Sequence, residues 1–521
     1  MHATGPDATD WSIDEAGHAL AQRRISAREL AEAHLARIAK FNPAYNAIIT
    51  PNPRVLEEAD SIDRALRAGA RCGPLAGIPI VVKDTVDMQG LPSTAGWAPL
   101  SARAGGIDLL PAADAAVIAR LRAAGAVILG KTNVPVLCLS SQHANDSWAG
   151  PTYNAAAPTR MPGGSSAGTA TAVAARFAVW GVAEETGGSI QFPAAYQGLV
   201  GVKPTFGLVP TTGVVPLAGS TRDVLGPIAR SVRDASIALD AMAGETFEDS
   251  RTAAARGRVP AQGYAASLAG ASLAGKRIGL LGPGWLELPV AREAHELYER
   301  AIEVVRRAGA TVVDDPFAGT GFASLAKPTG GWKYDLRGEE SVAWDLEQYL
   351  ARLGPGAAAR SVAELARVIG FDPFAEDGPL GYEREQPVFV QSLADLSRPP
   401  DLSAFHAARV GYVRLFDEVM SRHGLDAMLF PQALDEPPLI AGKGRVDAAT
   451  VSQINIGGFP GVAVPAGEYA SGTPFSVIWV GRCWSEATLL QLAHAFEQLW
   501  PARRMRGMIT DAGELKRIAG R

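Results

Sequence analysis

From Ser26 to Lys40 the chain reads SARELAEAHLARIAK, with Leu30, Ala31, His34, Leu35 and Ile38 at helical spacing. Ser26 followed three residues later by Glu29 is a capping-box pattern, so an amphipathic helix is predicted, ending before Asn42-Pro43. Ile78 to Val82 (IPIVV) is a short apolar, β-branched run and predicts a buried strand. Asp114 to Ala124 predicts a helix feeding a second strand, Ala126 to Leu129. From Ser166 the stretch AGTATAVAARFAVWGVA predicts a tightly packed helix of small residues running into a strand. A Gly/Pro-rich segment follows from Thr186 to Pro227.

Strand–helix–strand patterning returns at Arg277 to Leu281, Arg292 to Ala308 and Thr311 to Val313. The end of the chain predicts strands near Ala427 to Phe430, Gly461 to Val464 and Phe475 to Val480, then a helix from Glu486 to Leu499. Alternation of this kind points to an α/β fold. Residues 316–400, with Trp332, Tyr334, Trp344 and Pro399-Pro400, read as a less regular insertion or cap within one domain spanning 1–521. No internal repeat is present.

Composition narrows the function classes. Forty-nine basic and 54 acidic side chains leave a net charge of −5, and neither sign gathers in a long run, so neither nucleic acid nor an anionic membrane is an expected partner. The N-terminus lacks the pattern of a secretory signal and no segment offers about 18 uncharged apolar residues, which makes a cytoplasmic location the expectation. Cys72, Cys138 and Cys483 are few, odd in number and far apart, which suits reduced thiols. The histidines form no zinc-binding pattern, so neither a metal nor an organic cofactor is expected.

Three short motifs compete for the chemistry. Gly125 to Thr132, GAVILGKT, matches a P-loop on paper, but its four intervening residues make a strand where a phosphate-cradling loop is needed. GLLGPG at Gly279 to Gly284 has the wrong spacing for a dinucleotide fingerprint. Within GGSSAG, residues 163–168, Ser166 satisfies G-x-S-x-G, yet the preceding NAAAPTRMP is no strand, and a nucleophile elbow needs one. Thr186-Gly187-Gly188-Ser189 is a different matter: two glycines before a serine make a tight turn whose amides can converge on one point, as an oxyanion hole requires. A serine needs a base, and Lys83, at the end of the IPIVV strand, is the candidate because burial lowers a lysine's pKa. Taken alone, such a lysine more often forms a structural pair with a carboxylate such as Asp84.

What joins these features is a block from Pro162 to Thr205, PGGSSAGTATAVAARFAVWGVAEETGGSIQFPAAYQGLVGVKPT, which resembles the amidase signature family. GPLAGIPIVVKDTVDMQGLPSTAG, DAAVIARLRAAGAVILGKTNVP, DVLGPIARSVRDA, DAMLFPQ, GGFPGVAVPAG and PFSVIWVGR come in the order found in that family, so the similarity covers most of the chain. The resemblance implies an α/β amidase signature fold, a central mixed β-sheet surrounded by helices. It also implies a metal-independent hydrolase with a Ser-cisSer-Lys triad: Ser189 as nucleophile, Ser165 as relay and Lys83 as base. Thr186, Gly187, Gly188 and Ser189 would supply oxyanion amides, with Ser166 in support.

Five positions, in three places, depart from the family pattern. Ala183, Glu184 and Glu185 stand where G-T-D is common, Gln191 stands where Arg is usual, and GGSSAG replaces GGSSGG. Leu137, Cys138, Leu139, Gln191 and Phe192 are the substrate-binding candidates, together with aromatic residues of the 316–400 segment. The expected reaction is cleavage of an apolar or aryl amide or anilide. The alternatives are carbamate (urethane) or ester hydrolysis, and the role of a glutamine-hydrolysing amidotransferase subunit. The expected partners are a small-molecule amide or carbamate and a second copy of the chain in a homodimer.

Overall fold

A computed structural model describes residues 7–70, 73–328, 334–500 and 517; Cys72 and Trp332 lie outside these. The strands in chain order are β1 (Ile48–Pro51), β2 (Pro79–Lys83), β3 (Val127–Thr132), β4 (Trp180–Glu185), β5 (Val200–Lys203), β6 (Val224–Ala229), β7 (Arg277–Leu280), β8 (Thr311–Val313), β9 (Ala427–Pro431), β10 (Gly461–Glu468) and β11 (Pro474–Val480). They form one sheet in the order β1-β3-β2-β4-β6-β5-β10-β11-β9-β7-β8. Pairing is parallel for β3–β2, β2–β4, β9–β7 and β7–β8, and antiparallel elsewhere, so the sheet is mixed, with helices packed about it. β2, β3 and β4 are buried at every position, which is why their sequences run apolar without alternating up to the polar residues at their C-terminal ends, Lys83, Lys131-Thr132 and Glu184-Glu185.

Local differences from the sequence pattern have physical causes. The helix beginning after Ser26 continues through Pro43 and ends at Tyr45. Beyond its end Asn42 Oδ1 accepts from Ala47 and Ile48 N–H at 2.9 Å each, and Asn46 closes the helix with φ 51°. The Gly/Pro-rich segment 186–227 holds a short helix, Gln191–Tyr196, and two strands, β5 and β6, whose Gly and Pro residues hide their pattern. Residues 316–400 are more regular than their sequence suggests. Helices Val342–Arg352, Val362–Ile369 and Pro387–Ser392 pack Val342, Leu346, Leu350, Leu365 and Phe389 into a cluster of their own with Trp97, Leu100 and Leu109. Lys131 and Thr132 of the apparent P-loop are buried strand residues, and Lys131 Nζ donates to Pro92 O and Ser93 Oγ. Among the described residues no helix is long and apolar enough to cross a membrane.

The helix Ala167–Ala174 carries only small side chains apart from Val173 and is wholly buried. This lets it approach backbone directly: Gly168 N–H donates to Asn133 O at 2.9 Å, and a Cβ on Gly168 would lie 2.3 Å from Asn133 N and 2.5 Å from Ala47 O. Gly168→Ala is therefore expected to force the helix off β1 and β3 and destabilise the protein by about 1–3 kcal/mol. Urea unfolding measures this. An unchanged midpoint would mean that the helix has room to move.

Candidate active site

β2, β4 and the start of the small-residue helix converge on one point. Lys83 ends β2, Glu184 lies on β4, and Ser165 stands two residues ahead of the helix, joined to Gly164 by a cis peptide bond. Lys83 Nζ lies 2.7 Å from Ser165 Oγ, 2.9 Å from Glu184 O and 2.6 Å from Glu184 Oε2. Lys83 and Ser165 are fully buried. Asp84, the neighbouring carboxylate, turns instead toward Thr94 and lies 3.7 Å from Lys131.

Ser189 follows in the turn from β4 into the helix Gln191–Tyr196, with Gly188 at φ 96°, a conformation that favours glycine. Glu185 builds this turn, since its Oε2 accepts from Ile190 N at 2.8 Å and from Gln191 N at 3.2 Å. Among the described residues, no backbone acceptor takes up the N–H groups of Gly187, Gly188 or Ser189. They remain free to meet an oxyanion. Ser166 ties the two serine segments together, donating its N–H to Ser189 O at 3.3 Å and its hydroxyl to Glu184 O at 3.2 Å. It opens the helix after a loop rather than a strand, so it has no elbow geometry.

The electrostatics differ from the expectation for Lys83. Burial works against its charge, but the facing Cys138 and Glu184 outweigh burial and hold its pKa above the ordinary lysine value. Burial pushes the Cys138 thiol up to about 11, so at neutral pH Glu184 is the effective counter-charge. Thr186 Oγ1 then bridges Glu184 Oε1 at 3.1 Å and Asp223 Oδ1 at 2.6 Å. Burial, and next the Glu184 charge, hold Asp223 above the ordinary carboxylate range.

Ser189 borders a cleft of about 1060 Å³, shared with Thr186, Gly187, Cys138, Leu139 and Phe192. Leu137 faces a smaller apolar pocket alongside, bordered by Cys138 and Glu184 and with room for about one water molecule. Gln191 lines neither. It is fully buried, donating Nε2 to Glu185 and accepting from Thr450 Oγ1 at 2.7 Å, because the first turn of its helix points it inward.

The 316–400 segment supplies aromatic residues to the cleft, as its sequence suggested, while other lining residues left no local signal. Tyr334, from the 316–400 segment, lies so close that a Cβ on Gly187 would be 2.5 Å from its hydroxyl, and Arg222 Nη1 donates to that hydroxyl at 2.6 Å. Glu339, Tyr382 and the loop 442–448 also line the cleft. These residues are over 100 positions away from Ser189 in the chain, or are brought in by loops without periodicity. Among the described residues no group of three or more His, Cys, Asp or Glu side chains could hold a metal ion.

A family model described as Amidase matches residues 29–323. A glutamyl-tRNA(Gln) amidotransferase subunit from Beijerinckia indica subsp. indica is 34% identical over 516 residues, covering 95% of this chain and 98% of that protein. Native peptide amidase from Stenotrophomonas maltophilia is 32% identical with a TM-score of 0.74, covering 96% of this chain and 99% of that one. An amidase family protein from Bacillus anthracis str. Ames is 25% identical with a TM-score of 0.75, covering 95% and 92%.

Proposed function

Because the chain belongs to the amidase signature family of enzymes acting on amide C–N bonds, we propose that it hydrolyses a neutral amide with an apolar or aryl substituent, through Ser189, Ser165 and Lys83. Neutral Lys83 takes a proton from Ser165, which takes one from Ser189 as that oxygen attacks the carbonyl. The oxyanion is received by backbone N–H groups of the turn Thr186, Gly187, Gly188 and Ser189. The proton returns through Ser165 to the leaving amine, the C–N bond breaks, and water releases the acyl group from Ser189. The structure joins Lys83 to Ser165, and the relay requires Ser165 to hydrogen-bond Ser189 once substrate is bound, since catalytic hydrogen bonds tighten in the reacting complex.

The observation that carries the substrate class is the lining beside Ser189: Phe192, Leu217, Tyr334 and Val451, with Gln191 turned away from the cleft. Such walls suit an apolar amide, and an aryl carbamate presents the same carbonyl. A second function, glutamine hydrolysis within an amidotransferase, is favoured by the sequence relatives and by Lys443 and Arg445 at the cleft, which suit a carboxylate.

The two separate on a panel of anilides, primary amides, aryl carbamates and free glutamine, given to the isolated chain. The expected result is turnover of anilides or aryl-substituted amides with kcat/KM about 10²-fold above that of glutamine. Glutamine as the best substrate, or activity on none, would transfer support to the amidotransferase role.

A further inference from the structure

We propose that Glu184 is the positioning residue of Lys83, aiming its amine at Ser165 and setting the pH at which the serine relay becomes active. The proposal rests on the assignment of Lys83 as base.

An ammonium has three N–H donors and no lone pair. Three oxygen acceptors lie around Lys83 Nζ, namely Ser165 Oγ, Glu184 O and Glu184 Oε2, all within 2.9 Å, with the Cys138 thiol beside both Lys83 and Ser165 as a weaker partner, so the charged amine is fully occupied and gives a hydrogen to the oxygen from which it must take one. The working form arises when the hydrogen directed at Ser165 leaves to solvent. Glu184 then holds the two remaining N–H groups through its carbonyl and its carboxylate, and the freed lone pair points at Ser165 Oγ. One residue thus fixes the orientation of the base.

The carboxylate also opposes that same deprotonation. Its Oε2 lies 2.6 Å from Nζ, with both side chains almost wholly buried, where solvent screens the attraction little. The other groups around the amine do not offset it. Cys138, from the short helix Val136–Cys138, is a neutral thiol until about pH 11. Asp84 is engaged by Thr94 on the far side and Lys131 by Pro92 and Ser93. Asp223, reached through Thr186, is held above the ordinary carboxylate range by burial and then by the Glu184 charge, and it brings no positive charge to the amine. The sign follows: Lys83 is active only when neutral, its pKa is raised, and activity therefore appears on the alkaline side and fades as pH falls.

The test is the pH profile of kcat/KM for the wild type, Glu184→Gln and Glu184→Ala. In Glu184→Gln the amide oxygen still accepts from Nζ but carries no charge, so the acid limb is expected to move down by about one pH unit or more with the plateau largely kept. In Glu184→Ala both the charge and one anchoring acceptor go, so the limb moves down and the plateau falls about tenfold. A limb unmoved or moved upward in both variants would overturn the proposal. Labelling of Ser189 by a fluorophosphonate in the wild type at alkaline pH separates this failure from the other: labelled Ser189 with an unmoved limb defeats the role of Glu184 alone, while unlabelled Ser189 defeats the triad assignment itself.

Discussion

Ser189→Ala is expected to lower kcat/KM by about 10⁴-fold or more while the protein stays folded. The hydroxyl is the only atom lost, and it stands on the wall of the cleft beside the glycine turn. Ser189 is buried, but among the described residues its hydroxyl makes no hydrogen bond that the change would strand, so stability should shift by no more than about 1 kcal/mol and the loss would be chemical rather than structural. The variant should also lose its fluorophosphonate adduct, read by peptide mass mapping. Ser166→Ala provides the contrast. Its hydroxyl donates to Glu184 O behind the site, so it should retain the adduct and reduce activity far less. Retained activity in Ser189→Ala together with its loss in Ser166→Ala would return the nucleophile to the G-x-S-x-G match.

Lys83→Met should fail in two separable ways. Without a base the serine relay has nowhere to send its proton, and loss of general-base assistance costs about 10²–10⁴-fold. The same change strands the buried carboxylate of Glu184, and breaking a buried ion pair from one side costs about 3–5 kcal/mol. Adding Glu184→Gln removes the stranded charge. The double variant should recover most of the unfolding free energy in urea and none of the activity. Recovery of both would show that Lys83 is a structural partner of Glu184 and no more. Equal stability of the single and double variants would mean that the pair carries little of the fold's energy.

Much of the site was legible because its pieces are short and local. The IPIVV run placed Lys83 at a strand end, and two glycines before Ser189 marked a tight turn. The small-residue run after Ser166 announced a helix packed against backbone, and Gly168 shows why nothing larger fits. Gln191 went the other way. Its position beside the nucleophile suggested the cleft, but helix phase directs it to Glu185 and Thr450. β5 and β6 were hidden for a related reason, because strands that hold Gly or Pro lose the alternation by which strands are recognised.

By itself the sequence determined the elements with strong apolar periodicity, the family, and which serines and lysine could do chemistry, since each depends on neighbours within a few residues. Only the tertiary structure decided what surrounds them. Pairing of β2 with β4 sets Glu184 beside Lys83 and reverses the expected direction of the lysine's pKa, and the 316–400 segment folds back to set Tyr334 against Gly187. Both depend on contacts between residues about a hundred or more positions apart, and a buried charge takes its energy from whatever faces it in space, not from its neighbours along the chain.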